Sequence, residues 1–204
     1  MKKPPSEYEE GDTTDHGKKI AHIVAQQENY VIYVGDDGKP GFECKPEFCS
    51  AKSRCITKHD EIVWKSFNSL PQKYRDAILT QESYALANAF ASSEDSDEHF
   101  KTVESLFNAK LREFFCYWYL WGALLAVAIA CVLVVISGLY FSFDLSAPIF
   151  LVLGGGLMGS LGAFASVLQR LQKLRFNTFH SKSFYFLSGK ARGFVGFIFG
   201  AGAE

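Results

Sequence analysis

Two stretches of this chain carry no charge. Glu113 is followed by no Asp, Glu, Lys or Arg until Asp144, and Asp144 by none until Arg170. As helices, residues 114–143 and 145–169 would be about 45 Å and about 37 Å long, against about 30 Å of bilayer hydrocarbon. Each run can span a membrane, and a soluble domain would have nowhere to bury the first. Tyr117, Trp118, Tyr119 and Trp121 at one end of it, with Tyr140, Phe141 and Phe143 at the other, read as rings settling at the two interfaces.

Other absences narrow the function. The N-terminus MKKPPSEYEEGDTTDHGKK has no apolar segment of the secretory kind, so the first half is expected to start in the cytosol. No G-x-S-x-G, H-E-x-x-H or phosphate loop occurs, which does not exclude an enzyme but leaves no residue to assign to nucleophilic, metal-assisted or phosphate-binding chemistry. No Asp or Glu lies between Leu145 and Ala203, so an ion-coupled transporter would lack its intramembrane carboxylate. There is no C-x2-C knuckle either. Cys44-x4-Cys49-x5-Cys55-x3-His59 offers zinc-type donors at irregular spacing and is better read as ordinary reduced thiols of a cytosolic domain, while Cys116 and Cys131 fall in the first apolar run. The remaining histidines, His16, His22, His99 and His180, are scattered.

What is present divides into a charged first half and an apolar second half, which the net charge of -1 and a mean hydropathy of +0.02 conceal. The expected fold class is a mostly α membrane protein: a transmembrane helical hairpin behind a small N-terminal cytosolic α+β domain. Residues 1–17 are polar and proline-bearing and read as a disordered tail. Residues 18–110 read as the cytosolic domain. It would hold a short helix from Ile20 to Gln26, then a hairpin in which NYVIYV and FECKP flank GDDGKPG, with Asp36 and Asp37 serving as turn residues. Helical periodicity follows over His59 to Phe67 and Pro71 to Phe90, with Ser69 placed to cap the second helix. Phe100, Val103, Phe107 and Leu111 continue that periodicity into the first apolar run, so one unbroken helix should leave the domain and enter the bilayer.

Residues 111–169 are expected to form the two spans, joined at Ser142 to Pro148, with Ser146 capping the second helix and Pro148 in its first turn. Residues 170–192 contain Arg170, Lys173, Arg175, Lys182, Lys190 and Arg192 without an acid. The positive-inside rule puts this segment and the N-terminus in the cytosol and Asp144 outside. Phe176, Phe179, Phe184, Tyr185 and Phe186 interleave with the basic residues, which favours anionic headgroups over nucleic acid as the ligand of Arg170, Lys173, Arg175, Lys190 and Arg192. Residues 193–204 read as a partial third apolar segment. Its eleven apolar residues make about 16 Å of helix, too short to cross alone, so a re-entrant piece or the start of a longer span is expected, the latter being favoured.

The glycines admit two readings. Gly154-Gly155-Gly156-Leu157-Met158-Gly159 spells the G-x-G-x-x-G of a dinucleotide turn, yet the acid due about twenty residues later is missing. Read as helix, Gly155 and Gly159, Gly159 and Ala163, Gly162 and Ser166, and Gly196 and Gly200 are small residues four apart, the pattern of closely packed membrane helices. Gly138 and Ala130 of the first span would be the intramolecular partners, with contact between chains as the sharper alternative.

GGGLMGSLGAFASVLQRL followed by LSGKARGFVGFIFG resembles a pattern in small bacterial inner-membrane proteins: a glycine-rich span, a Ser and an Arg at its cytosolic end, then Gly-x-x-Arg opening another glycine-rich span. Those positions are Ser166, Arg170, Gly189 and Arg192. A small cytosolic domain ahead of a few spans also resembles effectors and accessory subunits of bacterial anti-phage systems. The resemblance implies an inner-membrane setting. The resulting expectation is a non-enzymatic membrane effector or sensor without a cofactor, forming a homo-oligomer, touching lipid and receiving a cytosolic protein partner; the alternative is a passive anchor or scaffold.

Overall fold

Tyr30, Val31, Ile32 and Tyr33 are consecutive and all buried, which a strand achieves only when both its faces are covered. In the computed structural model, which describes residues 3–94, 97–140, 148–170 and 181–202, they open the central strand of a three-stranded antiparallel sheet. Its order is β1 (Ile20–Gln26), β2 (Tyr30–Gly35), β3 (Pro40–Cys44). The chain divides into two compact units, Met1–Lys110 and Leu111–Glu204. The sheet belongs to the first.

Helices cover one sheet face. The Tyr30 ring stacks on Phe48 at 5.3 Å and meets the edge of Phe90 at 5.2 Å, while Phe42 meets Phe90 at 5.6 Å. The N-terminal residues cover the other face, which corrects the expectation of a disordered tail over 1–17. Tyr8 is 3% exposed and clusters with Ile20, Val31 and Tyr33. The Gln26 amide donates to the carbonyls of Pro5 and Tyr8, and Gly11 N–H donates to Ile20 O at 2.8 Å. Composition missed this because one aromatic ring and backbone pairing to β1 suffice to hold a short polar segment.

Ile20 to Gln26, expected as a short helix, is the edge strand β1. Ile20, Ile23 and Val24 fit a helical period, but β2 offers a free edge, and pairing in three registers separated by two irregularities satisfies the backbone. The expected hairpin between β2 and β3 is present. Gly38 supplies the left-handed turn residue (φ 72°), and Asp37 accepts from Lys39 N–H at 3.0 Å, so the turn acids do act as turn chemistry.

Three helices follow: α1 (Pro46–Ala51), α2 (Ser53–Ser69) and α3 (Gln72–Ala91). Ser69 ends α2 rather than capping α3, whose N-cap is Pro71 without a side-chain bond. Ile62 of α2 and Ile78 and Leu86 of α3 are buried. At the other end of α3, the buried ammonium of Lys52 donates to the carbonyl of Ala89 (3.0 Å), in the last turn, and to those of Ser92 (2.5 Å) and Glu94 (2.9 Å) just beyond it.

The fourth helix, α4 (Lys101–Tyr140), is unbroken over 40 residues, about 60 Å, as its periodicity predicts. Within the first unit Phe100, Val103 and Phe107 are buried, and Glu104 pairs with Lys58 of α2. In the second unit α4 is followed by α5 (Pro148–Arg170) and α6 (Lys182–Ala201). Two helices, Asp97–Tyr140 and Leu151–Gln169, are long and apolar enough to cross a membrane. The expected connection through Ser142 and Ser146 lies outside the described residues, as do Lys173 and Arg175 and the side chain of Arg170.

The division at residues 192 and 193 does not survive. Lys182, Lys190 and Arg192 occupy the same helix as the apolar GFVGFIFGA, and α6 is 20 residues, about 30 Å, rather than an eleven-residue fragment. Ser181 starts it, its hydroxyl accepting from Phe184 N–H at 3.4 Å. Charge changes along this helix, but its backbone does not.

Candidate functional site

The glycine run lies in the interior of α5, so its G-x-G-x-x-G spelling is not a strand-turn-helix and forms no dinucleotide turn. What it forms is a close helix crossing. A methyl group placed on Gly159 would strike the carbonyl oxygen of Gly196, one on Gly200 that of Gly155, and one on Gly196 the Cβ of Ala163 at 2.6 Å. Gly156 receives the ring of Phe197, 2.6 Å from where a Cβ would stand. Gly155, Gly159, Ala163, Gly196 and Gly200 are thus spent on packing α5 against α6 in one chain. A methyl on Gly162 would meet nothing within 4 Å among the described residues outside its own stretch of helix.

A second crossing joins α6 to α4. Methyls on Gly122 and Gly189 would overlap the carbonyls of Phe186 and Tyr119, and one on Gly193 the Cβ of Ala126. Phe115 packs on Tyr185 at 4.4 Å, and Lys182 lies 5.5 Å above the Trp118 ring. Contacts advance together along α4 and α6 and in opposite senses along α5 and α6. So α6 runs parallel to α4 and antiparallel to α5.

Gly189, Gly193, Gly196 and Gly200 step by four, three and four, which keeps them within about 60° of arc on one helix face. The first pair serves α4 and the second α5. Of these four, sequence reading placed Gly196 and Gly200 in packing and missed Gly189 and Gly193; it also missed Gly122 of α4. The four-three-four spacing was the available signal, obscured by assigning Gly189 to a basic segment. Carbonyls and Cα atoms in such contact gain van der Waals energy and weak Cα–H···O bonds, which matter most where no hydrophobic drive separates helix from surroundings.

One turn from the α5–α6 crossing, Ser166 and Arg192 face a groove of about 310 Å³ whose walls include Ala163, Val167, Val195 and Gly196. The Arg192 guanidinium lies 5.8 Å from the centre of the Tyr119 ring. Two of the four residues singled out by resemblance therefore line one groove. Lys190 is elsewhere, 5.7 Å above Phe194.

The first unit has its own recess, about 470 Å³, lined by residues that include Phe42, Cys44, Cys49 and His59. Cys44 and Cys49 are joined in a disulfide with Cα atoms 5.8 Å apart, contrary to the expectation of reduced thiols. Proximity forced by the β3–α1 turn outweighs what compartment alone suggested. Cys55 is fully buried, and no metal-holding group of His, Cys, Asp or Glu exists among the described residues, so the four candidate donors are not gathered for zinc. His59 instead turns to Glu82 of α3, its Nδ1 against Oε1, with the Phe42 ring edge-on at 5.5 Å. Burial pushes the Glu82 carboxyl up, against the downward pull of His59. Its Oε2 has no hydrogen-bond partner among the described residues. Sequence reading missed this pair because its members lie on separate helices.

Fold and site together define a mostly helical protein with a small antiparallel sheet, glycine-packed helices and two helices apolar enough for a bilayer. No family model, curated protein or solved structure matches the chain.

Proposed function

We propose that this protein is a non-enzymatic inner-membrane effector or sensor. Its N-terminal unit receives a cytosolic signal or protein partner, and its glycine-faced helices answer within the bilayer by associating and disturbing it. One observation carries the reading: α4 begins among buried residues of the first unit, through Val103 and the Glu104–Lys58 pair, and continues without a break into an apolar span. A rearrangement of α2 or α3 thus acts directly on a membrane helix.

The orientation we infer is N-terminus inside and Asp144 outside. Charge supports it, and so does the parallel course of α4 and α6, which puts the basic start of α6 on the side where α4 enters. With Gly155 and Gly159 occupied inside the chain, contact between copies falls to the open side of α5 around Gly162. Anti-phage defence is the setting we infer from the layout alone, with phage challenge as the trigger to be tried.

Expression in bacteria with membrane potential and dye entry as readouts tests this proposal. Depolarisation or dye uptake on triggering, abolished by Gly159→Leu, is the expected result. The passive anchor predicts intact membranes and partner capture indifferent to Gly159→Leu. Intact membranes under phage challenge, with the partner still captured, would replace the effector by the anchor.

A further inference from the structure

The groove beside the α5–α6 crossing has an uneven chemistry. Ser166 and Arg192 provide its polar groups, and Ala163, Val167 and Val195 provide apolar wall. No salt bridge reaches Arg192 among the described residues, and the sequence offers no Asp or Glu from Leu145 to Ala203 to supply one. The exposed guanidinium lies over the Tyr119 ring and meets no carboxylate among the described residues, so its N–H donors can take an anion from outside the chain. Ser166 stands four residues, about 6 Å along the axis, before the end of α5 at Arg170. The polar pair is therefore near the end of the span, and the wall through Ala163 and Gly196 leads from it toward the middle.

We propose that this groove seats one anionic phospholipid, its phosphate held by Arg192 with the Ser166 hydroxyl as second donor and one acyl chain along Ala163 and Val195. This rests on the membrane reading above. The volume, about 310 Å³, equals roughly ten water-sized volumes, enough for a phosphoglycerol group and the upper part of one chain. The planar guanidinium suits a phosphate through paired hydrogen bonds, which an ammonium cannot match. Lys190 lies over Phe194 and does not line the groove, so its charge serves as the control. A bound lipid would tie α5 to α6 one turn from the crossing and make its tightness depend on membrane composition.

The test uses the full chain, extracted in mild detergent, stripped of lipid and offered phosphatidylglycerol or phosphatidylcholine before native mass spectrometry. One retained phosphatidylglycerol is expected, with about tenfold lower retention in Arg192→Gln, a smaller loss in Ser166→Ala and none in Lys190→Gln. Arg192→Lys keeps the charge without the fork, and we expect retention between wild type and Arg192→Gln; it decides the matter should Arg192→Gln fail to fold. Equal retention of the two lipids, or retention in Arg192→Lys and Arg192→Gln at the wild-type level, overturns the seat. Displacement by millimolar glycerol phosphate would instead assign the groove to a soluble phosphate. Alkaline washing of membranes separates the two levels: a chain that washes off refutes both membrane reading and lipid seat, whereas one that stays and retains lipid indifferently refutes the seat alone.

Discussion

A single methyl distinguishes the glycines of α5. Gly159→Ala drives a Cβ into the Gly196 carbonyl, and overpacking of this kind costs about 2 kcal/mol. Gly162→Ala meets open space and removes a poor helix former, so it should be neutral or gain up to about 1 kcal/mol. Unfolding both variants in detergent with a denaturing surfactant, followed by tryptophan fluorescence, gives the comparison; equal midpoints would mean that the crossing does not form. At Glu82 the sign of the pH effect is set by burial. Its carboxyl is raised in the folded chain, so the folded state binds that proton more tightly than the unfolded state does. The stabilisation is complete below the ordinary glutamate range and is lost as pH rises through the raised value. Glu82→Gln has no such proton, so the stability of wild type relative to Glu82→Gln should fall with rising pH. The alkylation rate of the buried Cys55 thiol measures opening of this unit, and parallel pH profiles for the two proteins would refute the assignment.

Among the elements, the N-terminal segment gives the sharpest contrast between composition and structure. Tyr8→Ala removes a ring that is 3% exposed from the open face of the sheet, a loss of about 3 kcal/mol. Hydrogen exchange of the β2 amides should quicken accordingly, and unchanged exchange would return residues 3–17 to the status of a tail. The signal for that cover was present in YVIYV: a strand apolar at consecutive positions needs two partners, and α1 to α3 supply only one. The β2–β3 hairpin, α2, α3 and the long α4 were legible because turn residues and periodicity act locally. β1 was not, since its helical and extended readings differ only in whether β2 is there to pair with. α6 was divided because its charges were read as a boundary, although helices are ended by backbone breaks and caps. Of the candidate site, the spacing named Gly155, Gly159, Gly162, Ala163, Gly196 and Gly200; all but Gly162 lie in the crossing, and their partner helix was misjudged, since α6 fills the face that was assigned to Gly138 and Ala130. Spacing reports a face and says nothing of what meets it.

For the molecule as a whole, charge and cysteine chemistry make different demands on compartment. The basic residues around the start of α6 favour a cytosolic N-terminal unit, whereas a Cys44–Cys49 disulfide persists in oxidising surroundings. Both hold if the pair is oxidised only on demand. Acid-quenched alkylation of bacteria should then find Cys44 and Cys49 reduced during growth and joined after an oxidant pulse. A membrane-impermeant maleimide should reach neither thiol until the cells are lysed; labelling of intact cells would invert the orientation.

Both close crossings described in the second unit depend on α6, which is made after α4 and α5. While the ribosome is still completing residues 182–201, the surfaces of α4 and α5 that carry Gly122, Gly155 and Gly159 have been synthesised but lack the backbone that fills them. Assembly of this unit is therefore a matter of timing as well as fit, and for that interval a neighbouring chain's α6 competes with the chain's own for the same two notches.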